Sequence, residues 1–373
     1  MLMEIFLTCI ILFIINHFYL YVTRLDNELN MLSSEIEKIK SKELKIANFD
    51  GNNKEMYNQQ FKNYYILGSM NSCCTGGIVD GKLNMEALKN TIALGPRFLD
   101  FEIYQKNGKP VIAAGEEGNN QKWSTENYLS FEYVMGEVKK YALGGSRYSP
   151  NYADPLILSF RIKTSQNKIY STMADALKNT FGAKLLDKSS YKNSEGSLAK
   201  IPLNDLKHKV IIYCHDNNNG KGYKDTTFEN LVNMSNNQNI NSITYNEKIH
   251  SVAGVKTADL DYNNLKIDSK KRVCVVFSHN QDLSNYTTNK KAHRKVGAQI
   301  SPINFSGINS DVNLSSAKEH WDFFNKQKSA FVLKPEHLIH KDIVIPSHKI
   351  TKQTDDVSYA TRKVTAGGHE FKF

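Results

Sequence analysis

Residues 95–115 read GPRFLDFEIYQKNGKPVIAAG, and the two short apolar runs inside them, RFLDFEIY and KPVIAAG, read as strands. The same rhythm continues outward on both sides. YYIL (64–67) and the amphipathic MEALKNTIALG (85–95) come before; YLSFEYVMGEVKKYAL (128–143), PLILSFRI (155–162), IYSTMADALKNTF (169–181) and KVIIYCH (209–215) follow. Strands and helices in turn predict an α/β fold with mostly parallel strands. Alternation alone does not separate a barrel from an open sheet.

Upstream, ILGSMNSCCTGG (66–77) leaves the first strand at Ser69-Met70-Asn71. In a barrel enzyme the residue after a strand often reaches the active site, and a thioether there can neither carry a proton nor hold a hard cation. The stretch is therefore either a working site of unusual chemistry or the shell of one.

With 373 residues and 40% hydrophobic content, the chain has room for one barrel of roughly 250 residues plus extensions. Cys9, Cys73, Cys74, Cys214 and Cys274 form an odd set without metal-ligand spacing, so free thiols in a reducing compartment are expected. The formal charge of +10 favours anionic partners, either headgroups, phosphorylated ligands or acidic proteins, unless it serves only solubility. Nucleic acid is not among the expected partners.

Ile5 to Val22, IFLTCIILFIINHFYLYV, is apolar but for Thr8, Asn16 and His17. As a helix it spans about 27 Å, just enough for one membrane crossing. The segment before it carries no positive charge and no A-x-A cleavage pattern follows, so an uncleaved anchor is the reading over a signal peptide or a buried helix. Leu25, Leu29, Leu32, Ile36 and Ile39 then recur at spacings of four and three, an a/d seam. A stalk that oligomerises through residues 25–39 and a helix packed on its own domain both satisfy that pattern.

The order of motifs resembles the X and Y boxes of the phosphoinositide-specific phospholipase C family. It is carried by SMN (69–71), GPRFLDFE (95–102), PVIAAG (110–115), PLILSFR (155–161), IPLNDLKHKVII (201–212), LSNYTTNKKAHRKVGAQISPINF (283–305) and FVLKP (331–335). The resemblance implies a distorted (β/α)8 TIM barrel of the phospholipase C-like phosphodiesterase type, with its site at the C-terminal ends of the strands. The chain then divides into an anchor (1–24), a heptad helix (25–47), a polar linker (48–63), an X-box half barrel (64–215), an Asn-rich junction (216–265), a Y-box half barrel (266–340) and a tail (341–373).

The family's two catalytic histidines fall at Met70 and Ala114. No histidine lies between His17 and His208, so no shift of register within the first half restores either one. His215 and His279 are the nearest candidates for a relocated base. Of the family's calcium ligands, Asn71 matches the asparagine, Asp100 and Glu102 match two carboxylates with their lengths exchanged, and Arg161 replaces the last glutamate. A guanidinium about 5 Å from a divalent ion costs roughly 6–7 kcal/mol at an effective dielectric near 20, so no calcium and no other cofactor is expected. Arg161 is expected to pair with Asp100 or Glu102, either as a buried ion pair or as a stand-in for the metal charge, as in calcium-independent bacterial relatives. Lys163 and Arg272 remain as possible anion-binding groups.

These readings lead to a membrane-anchored, catalytically inactive phospholipase C-like protein with a structural or docking role. A minor capsid or inner-membrane component of a virion from a large DNA virus is one such role. The alternatives are an active phosphoric diester hydrolase with rearranged residues, and a non-catalytic phosphoinositide binder.

Overall fold

The structure, a computed structural model, describes residues 2–75, 81–115, 122–164, 166–190, 197–216, 222–235, 247–248, 250–252, 262–277, 290–305, 314–340, 363–366 and 369–372. It forms two units, Met1–His340 and Lys341–Phe373.

In the first unit the helices are α1 (Leu2–Lys42), α2 (Lys54–Tyr57), α3 (Met85–Ala93), α4 (Phe131–Leu143), α5 (Lys168–Phe181), α6 (Tyr262–Lys271), α7 (Lys290–Lys295) and α8 (Leu314–Lys326). Its strands begin with β1 (Tyr64–Ile66), β2 (Gly68–Ser69), β3 (Cys74–Thr75), β4 (Lys82–Leu83), β5 (Phe98–Lys106), β6 (Lys109–Ala113) and β7 (Leu129–Ser130). They continue with β8 (Leu156–Ile162), β9 (Val210–Asp216), β10 (Val232–Ser235), β11 (Glu247–Lys248), β12 (His250–Val252), β13 (Cys274–Val276) and β14 (Phe331–Leu333). The second unit contributes the antiparallel pair β15 (Lys363–Ala366) and β16 (His369–Lys372).

The main sheet runs β11-β10-β9-β8-β5-β6-β7, with β2 also on β5. From β2 to β11 through β5, β8, β9 and β10 every neighbouring pair is parallel. Parallel neighbours need crossovers, and α3, α4 and α5 supply them. KPVIAAG differs from the mostly parallel expectation: as β6 it folds back antiparallel on β5, because only Asn107 and Gly108, both at positive φ, connect the two. Elsewhere β12 lies parallel to β13 and β1 antiparallel to β14. Single parallel bridges join Ile66 to Ile300, Val275 to Ile300 and Ser69 to Ile303.

Strand alternation sorts the side chains. Leu99, Phe101 and Ile103 of β5 and Leu158, Phe160 and Ile162 of β8 pack under α3, α4 and α5 in one buried cluster. Their alternates Phe98 and Ile157 join Ile66, Tyr213, Val275 and Ile300 in another. Asp100, Glu102 and Arg161 therefore stand on the face opposite the helices.

Three boundaries read from the sequence are corrected. Residues 48–63 are no linker: Phe49 and Tyr57 stack at 4.6 Å and are buried with Phe61 in the core, three aromatic anchors that the polar background concealed. The Asn-rich junction is not only a connection between the halves, since LVNMS holds β10 and buries Val232 and Met234; residues 217–221, 236–246, 249 and 253–261 lie outside the described residues. Finally, α1 passes residue 24 without a break, and the end of the heptad segment packs on its own domain. Ile36 is buried in the core with Ile39 against it, and Asn90 Nδ2 donates to Ser33 Oγ at 2.8 Å.

The opposite end of α1 differs. Met3–Leu20 has mean hydropathy 1.9 and none of it is buried, so it is long and apolar enough to cross a membrane. A signal sequence meets the same description. Among the described residues the five cysteines are free, all but Cys9 buried.

Candidate functional site

Register brings the site together. On three adjacent parallel strands, Asp100 faces Ser159 and Ser159 faces Tyr213, while Glu102 faces Arg161 and Arg161 faces His215. These two rungs put both carboxylates beside one guanidinium. Asn71 arrives from the turn after β2, held at φ 46°. That left-handed conformation is one asparagine tolerates better than most residues.

Arg161 is the hub. Its Nε donates to both oxygens of Asp100 at 3.0 and 3.1 Å, and its Nη2 to Asp100 Oδ2 at 2.7 Å and Asn71 Oδ1 at 2.6 Å. Nη1 donates to Glu102 Oε1 at 2.6 Å, and the guanidinium lies 5.3 Å from the Phe277 ring centre. Outer partners fix the acids. Ser159 Oγ donates to Asp100 Oδ1 at 2.8 Å, while Tyr104 Oη and the Gly115 amide donate to Glu102 Oε2 at 2.7 and 3.0 Å. Gly115 permits that approach, because a Cβ there would meet Tyr104 Oη at 2.5 Å.

Burial by itself lowers the Arg161 pKa, but Asp100 and Glu102 outweigh it and the net shift is upward. The Tyr104 hydroxyl is pushed up by burial and then by Glu102. Burial also lifts the Cys74 thiol to about 12, so Cys74 is no nucleophile near neutral pH. His215 is lowered to about 3 by burial, Arg161 and Lys163, which leaves a neutral imidazole and a feeble base.

The two histidine positions hold no acid-base group. Met70 is buried in one apolar cluster and Ala114 in the other. The metal ligands of the resemblance do converge, but all three acceptors aim at a guanidinium that fills the space an ion would need. The donor set does not fit calcium. No group of three or more His, Cys, Asp or Glu suited to a metal occurs among the described residues.

The anion-binding candidates separate. Lys163 follows β8 directly and is buried near His215. Arg272 precedes β13, at the N-terminal end of the strands, and pairs with Asp268 at 3.6 Å; it is not part of this cluster. His279 and residues 283–289 lie outside the described residues. Gln299 and Lys334 are architectural: Gln299 Nε2 donates to Lys62 and Ser269 carbonyls at 2.6 and 2.8 Å, and Lys334 Nζ to the Ser269 carbonyl at 2.7 Å. The sequence reading missed Tyr104, Ser159 and Phe277. The first two sit two residues from Glu102 and Arg161 on the same strand face, a signal period-2 reasoning could have used; Phe277 has no local signal.

With this geometry in view, comparison with known proteins identifies the class. Residues 57–215 match the X domain of phosphatidylinositol-specific phospholipase C. Human 1-phosphatidylinositol 4,5-bisphosphate phosphodiesterase gamma-2 is 27% identical over 166 residues, 44% of this chain and 12% of that protein. The rat beta-4 protein is 29% identical over 154 residues, 40% of this chain and again 12% of the relative. The crystal structure of PLC21 from L. pealei shares the fold with a TM-score of 0.56 at 18% identity, covering 76% of this chain and 38% of the other. Over residues 57–215 the chain is thus similar to the X domain of phosphatidylinositol-specific phospholipase C, and its matched stretch spans only about an eighth of the curated relatives, 12% of each.

Proposed function

We propose that the protein is a membrane-anchored, catalytically inactive member of this family that acts as a structural or docking part. One observation carries the reading: the Arg161 guanidinium sits at the centre of the donor set that would hold calcium, while both histidine positions are apolar and buried. Each missing acid-base group costs about two to four decades in rate. Relocation of the base to His215 is opposed by its lowered pKa of about 3.

The same reading takes the strand pairings as one closed barrel. β11 and β12 are separated by one residue in sequence, and the bridges of Ile300 to Val275 and Ile66 complete the circuit. It also takes Met3–Leu20 as the anchor, supported by its length, its hydropathy and its complete exposure. Such a part suits the inner membrane of a virion.

The test is release of inositol phosphate from phosphatidylinositol micelles by the detergent-purified full chain, with and without millimolar calcium. No release above a mock preparation is expected. Calcium-dependent release that Asn71→Ala abolishes would overturn the proposal in favour of an active diesterase. The anchor is tested separately by flotation: deletion of residues 1–24 is expected to give a folded protein that no longer floats with vesicles, and persistent flotation after a high-salt wash would assign membrane affinity to the barrel.

A further inference from the structure

A cavity of about 460 Å³ shares no lining residue with the Arg161 cluster. It opens against β1 and β14 at the start of the strand series, whereas Asn71 lies past the end of β2. Its volume falls within the roughly 300–1,000 Å³ typical of small-molecule sites. Lys291, Arg294 and Lys295 of α7 line one part, and Tyr65, Phe323 and Leu333 the other; none of the lining residues is acidic. Spacings of three and four put the three cations on one side of a helical turn.

Arg294 is the telling residue. Its guanidinium stacks 4.5 Å from the Phe323 ring centre, and its Nη1 bonds to His320 Nδ1. Tyr65 Oη donates to the Arg294 carbonyl at 2.6 Å, which fixes the backbone. No ion pair within 4 Å reaches Arg294 among the described residues; burial lowers its pKa, opposed by Glu319, which pairs with Lys291 at 3.4 Å. Its partner His320 is buried, held well below the ordinary histidine pKa first by burial and then by Arg294, so the ring is neutral and accepts a hydrogen bond without offsetting the charge. A half-buried cation that no carboxylate touches, with one carboxylate, Glu319, shared between it and Lys291, beside an apolar wall, is matched by a ligand that is anionic at one end and apolar at the other. A free phosphate would leave Phe323 and Leu333 uncovered, and a neutral lipid would leave the excess of three cations over the single carboxylate Glu319 unmatched.

We propose that this cavity binds an anionic amphiphile, a single acyl chain with an anionic head, the head held by Arg294 with Lys291 and Lys295 and the chain laid over Phe323 and Leu333. The site is independent of the barrel mouth, so its test does not depend on whether the protein is an enzyme.

The probe is palmitate bearing a diazirine, photolysed with the full chain in phosphatidylcholine nanodiscs, and the labelled peptides are mapped. Saturable labelling of the peptides holding Phe323 or Leu333 is expected. Palmitate should compete at least tenfold better than palmityl alcohol or inorganic phosphate. The double variant Lys291→Gln, Lys295→Gln should reduce labelling at least tenfold; Lys291 is 62% exposed in its side chain and Lys295 is also exposed, so folding is preserved. Arg294→Gln, verified by an unchanged circular dichroism spectrum, should reduce it further. Labelling confined to residues 3–20, equal competition by the alcohol or by phosphate, displacement by an acidic peptide instead of palmitate, or indifference to the charge variants would each overturn the proposal.

Discussion

Replacing Arg161 by Gln is expected to destabilise the fold by about 3–5 kcal/mol, the usual cost of removing one partner from a buried ion pair. The guanidinium makes five hydrogen bonds to Asp100, Glu102 and Asn71, and both carboxylates are fully buried. Without it two like charges face each other, with Ser159, Tyr104 and backbone amides among their remaining support. The melting temperature should fall by roughly 10 °C. Two further measurements separate electrostatics from lost packing. Adding Asp100→Asn and Glu102→Gln to Arg161→Gln should recover most of the loss, and the loss in the single variant should shrink on acidification as the unpaired carboxylates take up protons. Additive losses, or a deficit indifferent to pH, would make the cluster a packing feature and remove its electrostatic rationale.

The second large effect concerns Asp154. Its Oδ1 accepts from the Phe49 amide at 3.0 Å and its Oδ2 has no hydrogen-bond partner among the described residues. Arg97 lies beside it, fully buried, donating only to the carbonyls of Ala142, Asp154 and Pro155. Burial, opposed by Arg97, lifts the Asp154 carboxyl to about 7. A raised acid holds its proton in the folded state after the unfolded chain has lost it. Its stabilisation is full below about pH 4, declines as pH rises, and is gone above about pH 7. At about 1.4 kcal/mol per pKa unit, the decline across that window is expected to be on the order of 4 kcal/mol. Asp154→Asn keeps an acceptor for Phe49 and removes the titration. The variant is expected to lose that decline between pH 4 and 8 and to exceed the wild type at pH 8. Parallel stability curves for the two proteins would refute the assignment.

Much of the candidate site was legible because parallel register converts sequence spacing into adjacency. Asp100 and Glu102 are two apart on one strand, so they share a face, and a strand ending SFR beside them puts Arg161 within reach. The absence of histidine between residues 17 and 208 was equally plain. Other features were hidden for physical reasons. Phe49, Tyr57 and Phe61 are anchors spaced too irregularly for either strand or helix period, so their segment read as a linker. β10 sits in an Asn-rich context whose few apolar residues, Val232 and Met234, suffice because they are buried against strand neighbours and helices distant in sequence. Arg272 read as a phosphate group because linear distance from a motif does not say which end of a strand a residue occupies. The heptad seam could not announce its partner, since an apolar stripe is satisfied equally by a second copy or by the chain's own core.

The continuity of α1 carries a mechanical consequence. Ile36 is locked in the core of the first unit and Leu20 ends the apolar window of the same unbroken helix, a separation of 16 residues, or about 24 Å of helical rise. With Met3–Leu20 in a bilayer, that stretch is a shaft, not a tether. It sets the standoff height of the α/β domain and couples its tilt to that of the membrane segment, so torque applied at one end arrives at the other. Any partner docked on that domain would then be held at a fixed distance and angle from the lipid surface without any contact of its own with the membrane.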